Sequence, residues 1–505
     1  MASPALSAAL EVISPSPKSE RATAEMRPTS NAGSIDHLLH GPVLPTLIRL
    51  ALPTVAVLFM TTVLSVAETY FVSSLGLDAI AAASLVVPIM LFMTMVSNGG
   101  IGGGVSSAIA RARGAGLHSA AESLTWHAVV IAVVAGAMFT LLALVAGPSL
   151  YSALGGTGRS LEQAVLYSNI LFGGAILFWC LMLLQSALRG AGNVKVPAAI
   201  MLGGVAAGLI LSPALIKGWL GMPSLGVAGA GVAQVICNAG ALAVVVAYMR
   251  SPRSNLRLRR YPLRREHFAA ILGIGLLSAV NAVMFTLSIT ALTAAAGAFG
   301  VAAIAGYGIA SRLDMLLVPV MFGFGTAAIT VVGTSLGAGD VKRARSAALV
   351  NAFFVAGLLE VVGLAVASMP HVWLGLFTAD ADAQSVGAHY LRVVGPMYGF
   401  IAITAELYFA GQGARRIGWP MAAGAIRFLC AVAATAWVFV WHAGLGSAFV
   451  LVAAGILASG VISLWGFWRA RWGSGGKQLG RSLVTISTVQ QGRVESRGEE
   501  RCHRA

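Results

Sequence analysis

The feature that most constrains this chain is the length of its apolar stretches. Leu47 to Val72, Val129 to Ala146 and Phe449 to Trp468 are examples. Each is about as long as a bilayer crossing requires, roughly 20 residues. Lipid cannot satisfy an open strand edge, so stretches of this length are read as helices. Twelve such segments follow one another, at 46–74, 79–110, 121–147, 163–188, 195–216, 226–249, 267–294, 301–335, 344–369, 385–410, 417–441 and 446–469. The chain is 57% apolar and 10% charged, against about 25% charged residues in a soluble domain. An all-α membrane protein of twelve transmembrane helices is therefore expected.

A net charge of +15 invites a nucleic-acid reading, but the positions of the basic residues argue against it. With the N-terminus inside, the inner loops hold sixteen basic residues. These are Arg111, Arg113, Arg189, Lys195, seven Arg from Arg250 to Arg265, Lys342, Arg343, Arg345, Arg415 and Arg416. The outer loops hold only Arg159 and Lys217. That bias is the signature of topology determinants facing anionic lipid, and it places both termini in the cytoplasm. Integral, multi-pass insertion in a bacterial inner membrane is expected, with the lipid bilayer as a partner and no nucleic acid.

The Arg-rich stretch 250–266 divides the chain into six helices and six helices, 42–249 and 267–470. The halves resemble each other. Arg-Gly-Ala-Gly at 113–116 returns as Leu-Gly-Ala-Gly at 336–339, and GLDAIAA from Gly76 returns as GVAAIAG from Gly300. Arg-Gly-Ala-Gly-Asn at 189–193, with Pro197 after it, is echoed by Gly-Gln-Gly at 411–413 and Pro420. Because six is even, the repeats run in the same direction, related by a pseudo-twofold axis along the membrane normal. Transporters of this design bind substrate at the repeat interface.

The polar tails 1–41 and 471–505 are expected to be disordered and cytoplasmic, and no cleavable leader is visible. Cys180, Cys237 and Cys430 are read as small buried hydrophobes, and with Cys502 they show no metal or redox spacing. There is no GxxxxGK[ST] loop and no HExxH, so neither ATP-driven pumping nor zinc proteolysis is supported.

Charge at membrane depth is costly and marks candidate function. The acids at depth are Glu68, Asp314, Glu360 and Glu406, and the bases are Arg312, Arg392 and Arg427. Glu68 is read as the one charged side chain deep in the first half, without a cationic partner. Desolvation favours the protonated form of such a carboxyl, as a proton-coupled carrier needs. A bound sodium ion is the alternative, and a protonated Glu bonded to a neighbouring helix is the structural one. Arg312 and Asp314 point about 200° apart on one helix, so each needs a partner elsewhere. Arg427 for Asp314 and Glu406 for Arg312 are the candidates, in a structural network or a substrate site. Glu406 can also snorkel to water from its helix end. Glu360 is read as packing or a protonated acid. Asn98, Gln185, Ser212, Gln234, Asn238 and Asn281 are neutral polar candidates for interhelical bonds or a cavity lining. Prolines 53, 88, 213, 319 and 396 are candidate bending points.

Three strings carry a family resemblance: VAETYFVSSLGLDAIAA (66–82), RGAGNVKVP (189–197) and GYGIASRLDMLLVPVMFGFGTAAITVVGTSLGAGD (306–340). With Leu52-Pro53 opening the first helix, the chain resembles the multidrug and toxic compound extrusion (MATE) family over about residues 42 to 470. It is nearest the branch that resembles DNA-damage-inducible protein F. The resemblance implies a V-shaped protein of two six-helix lobes. It also implies efflux of organic, often cationic, compounds in exchange for protons or sodium. The family's helix 1 acid falls on Glu68. Its usual helix 5 polar pair falls on Gly208 and Ser212, which weakens a sodium site there. Helix 7 carries Asn281 in place of the acid found in another branch.

A cation-coupled antiporter, proton before sodium, is therefore expected, with Glu68 and Ser212 at the coupling site. It needs no cofactor, takes small organic molecules and works as a monomer. A lipid-linked precursor flippase is the alternative. A membrane-embedded transferase is the third reading, resting only on Asp380 and Asp382 in a loop with His371 and His389.

Overall fold

The computed structural model describes residues 32–470 and 472, all helix and short connections, with no strand among them. Of the tails expected at 1–41 and 471–505, residues 1–31, 471 and 473–505 lie outside the described residues. The end of the N-terminal tail departs from expectation, because Ala32–His40 forms a helix, α1. Its Leu38 is buried, and Arg343 donates hydrogen bonds to the carbonyls of Leu38 (2.9 Å) and Gly41 (2.7 Å). Those are carbonyls that a helix end leaves without partners.

The first span is α2 (Val43–Ser73). The second runs from α3 (Leu77–Thr94) through a π-helical stretch at Met95–Ile101 into α4 (Gly102–Gly114). The third is α5 (His118–Ala153). The fourth is a pair, α6 (Gly158–Gly173) and α7 (Ala175–Gly190), bent by 47°. The fifth and sixth are α8 (Lys195–Lys217) and α9 (Val227–Arg250). The seventh to ninth are α10 (Arg265–Gly297), α11 (Val301–Gly337) and α12 (Val341–Ser368). A short α13 (Pro370–Leu374) precedes the tenth, built from α14 (Ala381–Val394), a 3-10 turn at Gly395–Met397 and α15 (Tyr398–Ala414). The last two are α16 (Gly418–Trp441) and α17 (Leu445–Arg469).

Eleven of these spans are long and apolar enough to cross a bilayer as single helices or near-continuous pairs, and the bent fourth makes twelve. The breaks sit at a glycine, a π-bulge and Pro396. Pro53, Pro88, Pro213 and Pro319 lie within α-helix without interrupting it. Neighbouring helices and local adjustment tolerate a membrane proline.

The internal repeat is visible in the backbone. Residues with positive φ recur 223 or 224 positions apart: Gly76 (107°) and Gly300 (96°), Gly116 (74°) and Gly339 (84°), Gly192 (83°) and Arg415 (57°), Gly218 (77°) and His442 (50°). Each pair starts or ends matching helices in the two halves.

The two six-helix halves meet where the first and second spans approach the seventh, eighth and tenth. Glycines allow backbones to touch there: a Cβ on Gly114 would lie 2.0 Å from the Thr334 carbonyl oxygen, and one on Gly337 would lie 2.2 Å from that of Arg111. Close packing through small residues is the usual route to helix association in lipid. The linker is docked on the first lobe. The Tyr261 hydroxyl donates to Glu122 (2.7 Å), and the Arg264 N–H donates to His127 Nε2 (2.8 Å).

Candidate functional site

Within the first lobe, spans one, four, five and six enclose a cavity of about 60 Å³. Glu68, Gln234 and Asn238 line it, with Thr61, Gly208 and Cys237. No Lys or Arg is among its lining residues. Gln234 and Asn238 are one turn apart on α9, and the Gln234 amide N–H donates to Asn238 Oδ1 at 3.5 Å. Ser212 is fully buried next to Pro213 and adjoins the Glu68 carboxyl, without a hydrogen bond of normal geometry. Tyr167, from the fourth span, also lies near that carboxylate. The space exceeds the 10–15 Å³ or so that one water needs. Glu68 thus occupies a mostly apolar chamber into which Thr61, Gln234 and Asn238 bring one hydroxyl and two amides.

A second cavity of about 40 Å³ adjoins it, sharing Thr61 and Met201. Asn98, Gln185 and Arg189 supply its polar lining, and Phe322 of the second lobe reaches its edge. The Arg189 guanidinium donates to Asn98 Oδ1 (2.6 Å) and Ser186 Oγ (2.8 Å). The π-bulge places Asn98 here, since Asn98 lies within the wide turn. Gln185 is buried, and its amide nitrogen has no partner.

Arg189 and Arg111 correct the reading of these residues as loop charges, and of Glu68 as the sole charge inside the first half. Both are only 8% exposed. Arg111 donates to Ser107 Oγ and, across the seam, to the Gly413 carbonyl at 3.1 Å. No carboxylate pairs with either among the described residues. The C-terminal ends of the second, fourth, eighth and tenth spans meet here, at Gly114, Gly190, Gly337 and Ala414. Helix C-termini carry partial negative charge and free carbonyls, which sequence spacing alone cannot show converging. Gln412 belongs to the same seam: its amide N–H groups donate to the Gly99 carbonyl (3.3 Å) and Ser278 Oγ (3.2 Å).

The second lobe holds separate polar groups. Asp314 accepts hydrogen bonds from Tyr390 (2.6 Å) and Tyr398, with Arg427 nearby. Arg427 lies 5.2 Å from the centre of the Phe285 ring. Asn281 lies by Gly424 and Tyr408. Glu406 does not snorkel: it is fully buried and accepts from the Asn351 amide at 2.5 Å. Arg312 is not its partner, since Arg312 is exposed and stacks at 6.0 Å over Phe377. Glu360 accepts the Gly399 N–H at 2.7 Å. The 3-10 break before α15 leaves that helix start without internal partners, and Glu360 caps it.

Two repeated six-helix halves packed together, with small cavities among their helices that hold a few polar side chains, are the architecture of a secondary active transporter. The MatE family model matches residues 53–214 and 278–438, most of both lobes. The chain belongs to the MatE family, whose members are secondary transporters, not enzymes. It is 28% identical to a probable multidrug resistance protein NorM of Bradyrhizobium diazoefficiens, over 80% of this chain and 88% of that one. It is 26% identical to a FAD transporter of Shewanella oneidensis, over 72% and 81% respectively. The fold matches an outward-facing structure of a multidrug resistance MATE family transporter with a TM-score of 0.75 at 23% identity, covering 86% of this chain and 97% of that one.

Proposed function

We propose that the protein exports organic molecules, drugs and toxins among them, in exchange for protons, with Glu68 as the coupling group. The observation that carries this reading is the setting of Glu68, a carboxyl in a small, mostly apolar chamber with no basic side chain in its lining. Taking up a proton removes a charge that lipid-buried protein solvates poorly. Ser212, Gln234 and Asn238 then serve as neutral partners for one protonation state or the other. The fifth span supplies only Gly208 and Ser212 at the positions facing this acid, so it adds few oxygen ligands for a sodium ion. Export follows if substrate binds better to one of the two packings of the first lobe, because only differential affinity can couple two sites. The linker end of the molecule faces the cytoplasm of a bacterial cell, by the sixteen-to-two distribution of basic residues.

The test is transport by purified protein in proteoliposomes under separately imposed proton and sodium gradients. The panel should hold organic cations and a flavin dinucleotide, the latter because one relative is a FAD transporter. Uptake driven by a proton gradient at zero sodium is expected. Uptake that follows sodium at constant pH would overturn the proton assignment.

A further inference from the structure

A third cavity, of about 420 Å³, opens at the linker end of the molecule and plays no part in the transport reading. One wall is His37 of α1 with Thr46 and Arg49 of the first span. These elements pack on the second half: Leu38, Leu47 and Leu50 share a hydrophobic core with its residues and with Val194 of the opposite wall, and Arg343 pins α1 in place. The other wall is Asn193 and Lys195, from the turn between the fourth and fifth spans, and Asn255 of the linker. Those residues belong to the first lobe, where Arg113 holds the Asn255 carbonyl (3.1 Å) and Tyr248 receives the Asn193 amide (2.9 Å).

The lining holds two cations, Arg49 and Lys195, one from each wall, and no carboxylate. The nearby acids are engaged elsewhere: Asp36 pairs with His40 (2.9 Å), and Asp340 accepts the Arg343 N–H (2.8 Å). His37 Nδ1 is buried without a partner among the described residues, and Asn255 adds a polar side chain to the lining. The cavity thus offers positive charge and unused polar groups, in a volume suited to a small ligand. A planar guanidinium and an ammonium facing one space are the groups that recognise phosphate. Basic pockets between spans at a membrane surface take phospholipid headgroups by the same chemistry.

We propose that this cavity binds a phosphate-bearing anion, which bridges Arg49 of the first span and Lys195 at the start of the fifth. The source is either an anionic phospholipid headgroup or free phosphate. A ligand that binds only the folded protein raises its unfolding midpoint by mass action.

The experiment uses the full-length protein in nanodiscs, with thermal unfolding as the readout. One arm adds inorganic phosphate to phosphatidylcholine discs, and the other adds increasing phosphatidylglycerol to the disc lipid. At least one arm should raise the unfolding midpoint. Response to phosphatidylglycerol alone identifies a lipid headgroup, and response in phosphatidylcholine discs identifies free phosphate. The double variant Arg49→Gln, Lys195→Gln should shift the half-saturating concentration roughly tenfold or more upward, as losing charge-assisted bonds implies. Asn255→Asp, which keeps side-chain shape and adds negative charge, should do the same and decides the matter if the double variant does not fold. Arg253→Gln with Arg257→Gln removes two exposed linker charges outside the cavity and should leave the response unchanged. No stabilisation in either arm, or equal stabilisation of wild type and Asn255→Asp, overturns the proposal.

Discussion

Arg111 of the second span donates a hydrogen bond to the Gly413 carbonyl of the tenth, 3.1 Å away across the seam between the lobes. Among the described residues, two of its guanidinium nitrogens have no partner and no acid pairs with it. Burial of such a group is tolerated because the carbonyl end of the tenth span, at Gly413, accepts from it. Truncation then removes a charge-assisted bond, worth roughly 1.5–3 kcal/mol, and leaves the carbonyls without a cation. Arg111→Met is expected to lower the melting temperature in detergent and to open the seam. Arg111→Lys should fall between the two, since it keeps the charge and loses the fork. Melting curves for the three proteins, with maleimide labelling of a cysteine placed at Ser335, provide the check. An unchanged melting temperature for Arg111→Met would show that the seam does not depend on this residue.

Glu68→Gln keeps shape and hydrogen bonding and fixes the neutral state of the side chain. It should fold normally and lose proton-driven efflux while still binding substrate. Glu68→Asp should keep part of the activity, since the carboxylate remains one methylene shorter. Gradient-driven transport at the wild-type rate by Glu68→Gln would remove Glu68 from the coupling role. Loss of folded protein would favour a structural role instead.

Two glycines should respond in opposite directions to alanine. At Gly114 the added Cβ meets the Thr334 carbonyl oxygen at 2.0 Å, where only backbone movement can relieve the contact. Gly114→Ala should cost about 1–3 kcal/mol, the range for overpacking. At Gly357, on the ninth span, a Cβ meets nothing within 4 Å. Gly357→Ala should gain about 0.5 kcal/mol from reduced chain entropy. Thermal midpoints of the two variants in the same detergent distinguish the cases, and equal shifts would refute the seam contact.

His442 ends the eleventh span in the left-handed region, with φ 50°, where its repeat counterpart is Gly218. A side chain with a Cβ loses roughly 1–2 kcal/mol there, while glycine costs roughly 0.5–1 kcal/mol in entropy. The balance favours His442→Gly by about 0.5–1 kcal/mol. A higher melting temperature with unchanged transport is expected, and a lower one would mean that the imidazole makes a compensating contact.

Much of the molecule was legible in the sequence because it follows from local physics. Hydropathy over about twenty residues located the spans, since lipid solvates each segment largely on its own. Glycines at the repeat landmarks foretold the matching helix ends, because positive φ is a property of single residues. Glu68 stood out for the same reason, being a charge at depth that needs no partner to be noticed.

Tertiary structure decided which polar groups meet. Asp314 finds Tyr390 and Tyr398, 76 and 84 residues away, and Glu406 finds Asn351, 55 residues away. Arg111 and Arg189 resemble loop charges in a linear reading, yet they lie inside the seam. Hydropathy assigns a residue to a depth, but the rotation of a helix about its axis and the convergence of distant helix ends are set by packing between lobes. A buried charge is stabilised by whatever partial charges that packing brings to it. Partners of that kind belong to the assembled fold, and no spacing along the chain encodes them.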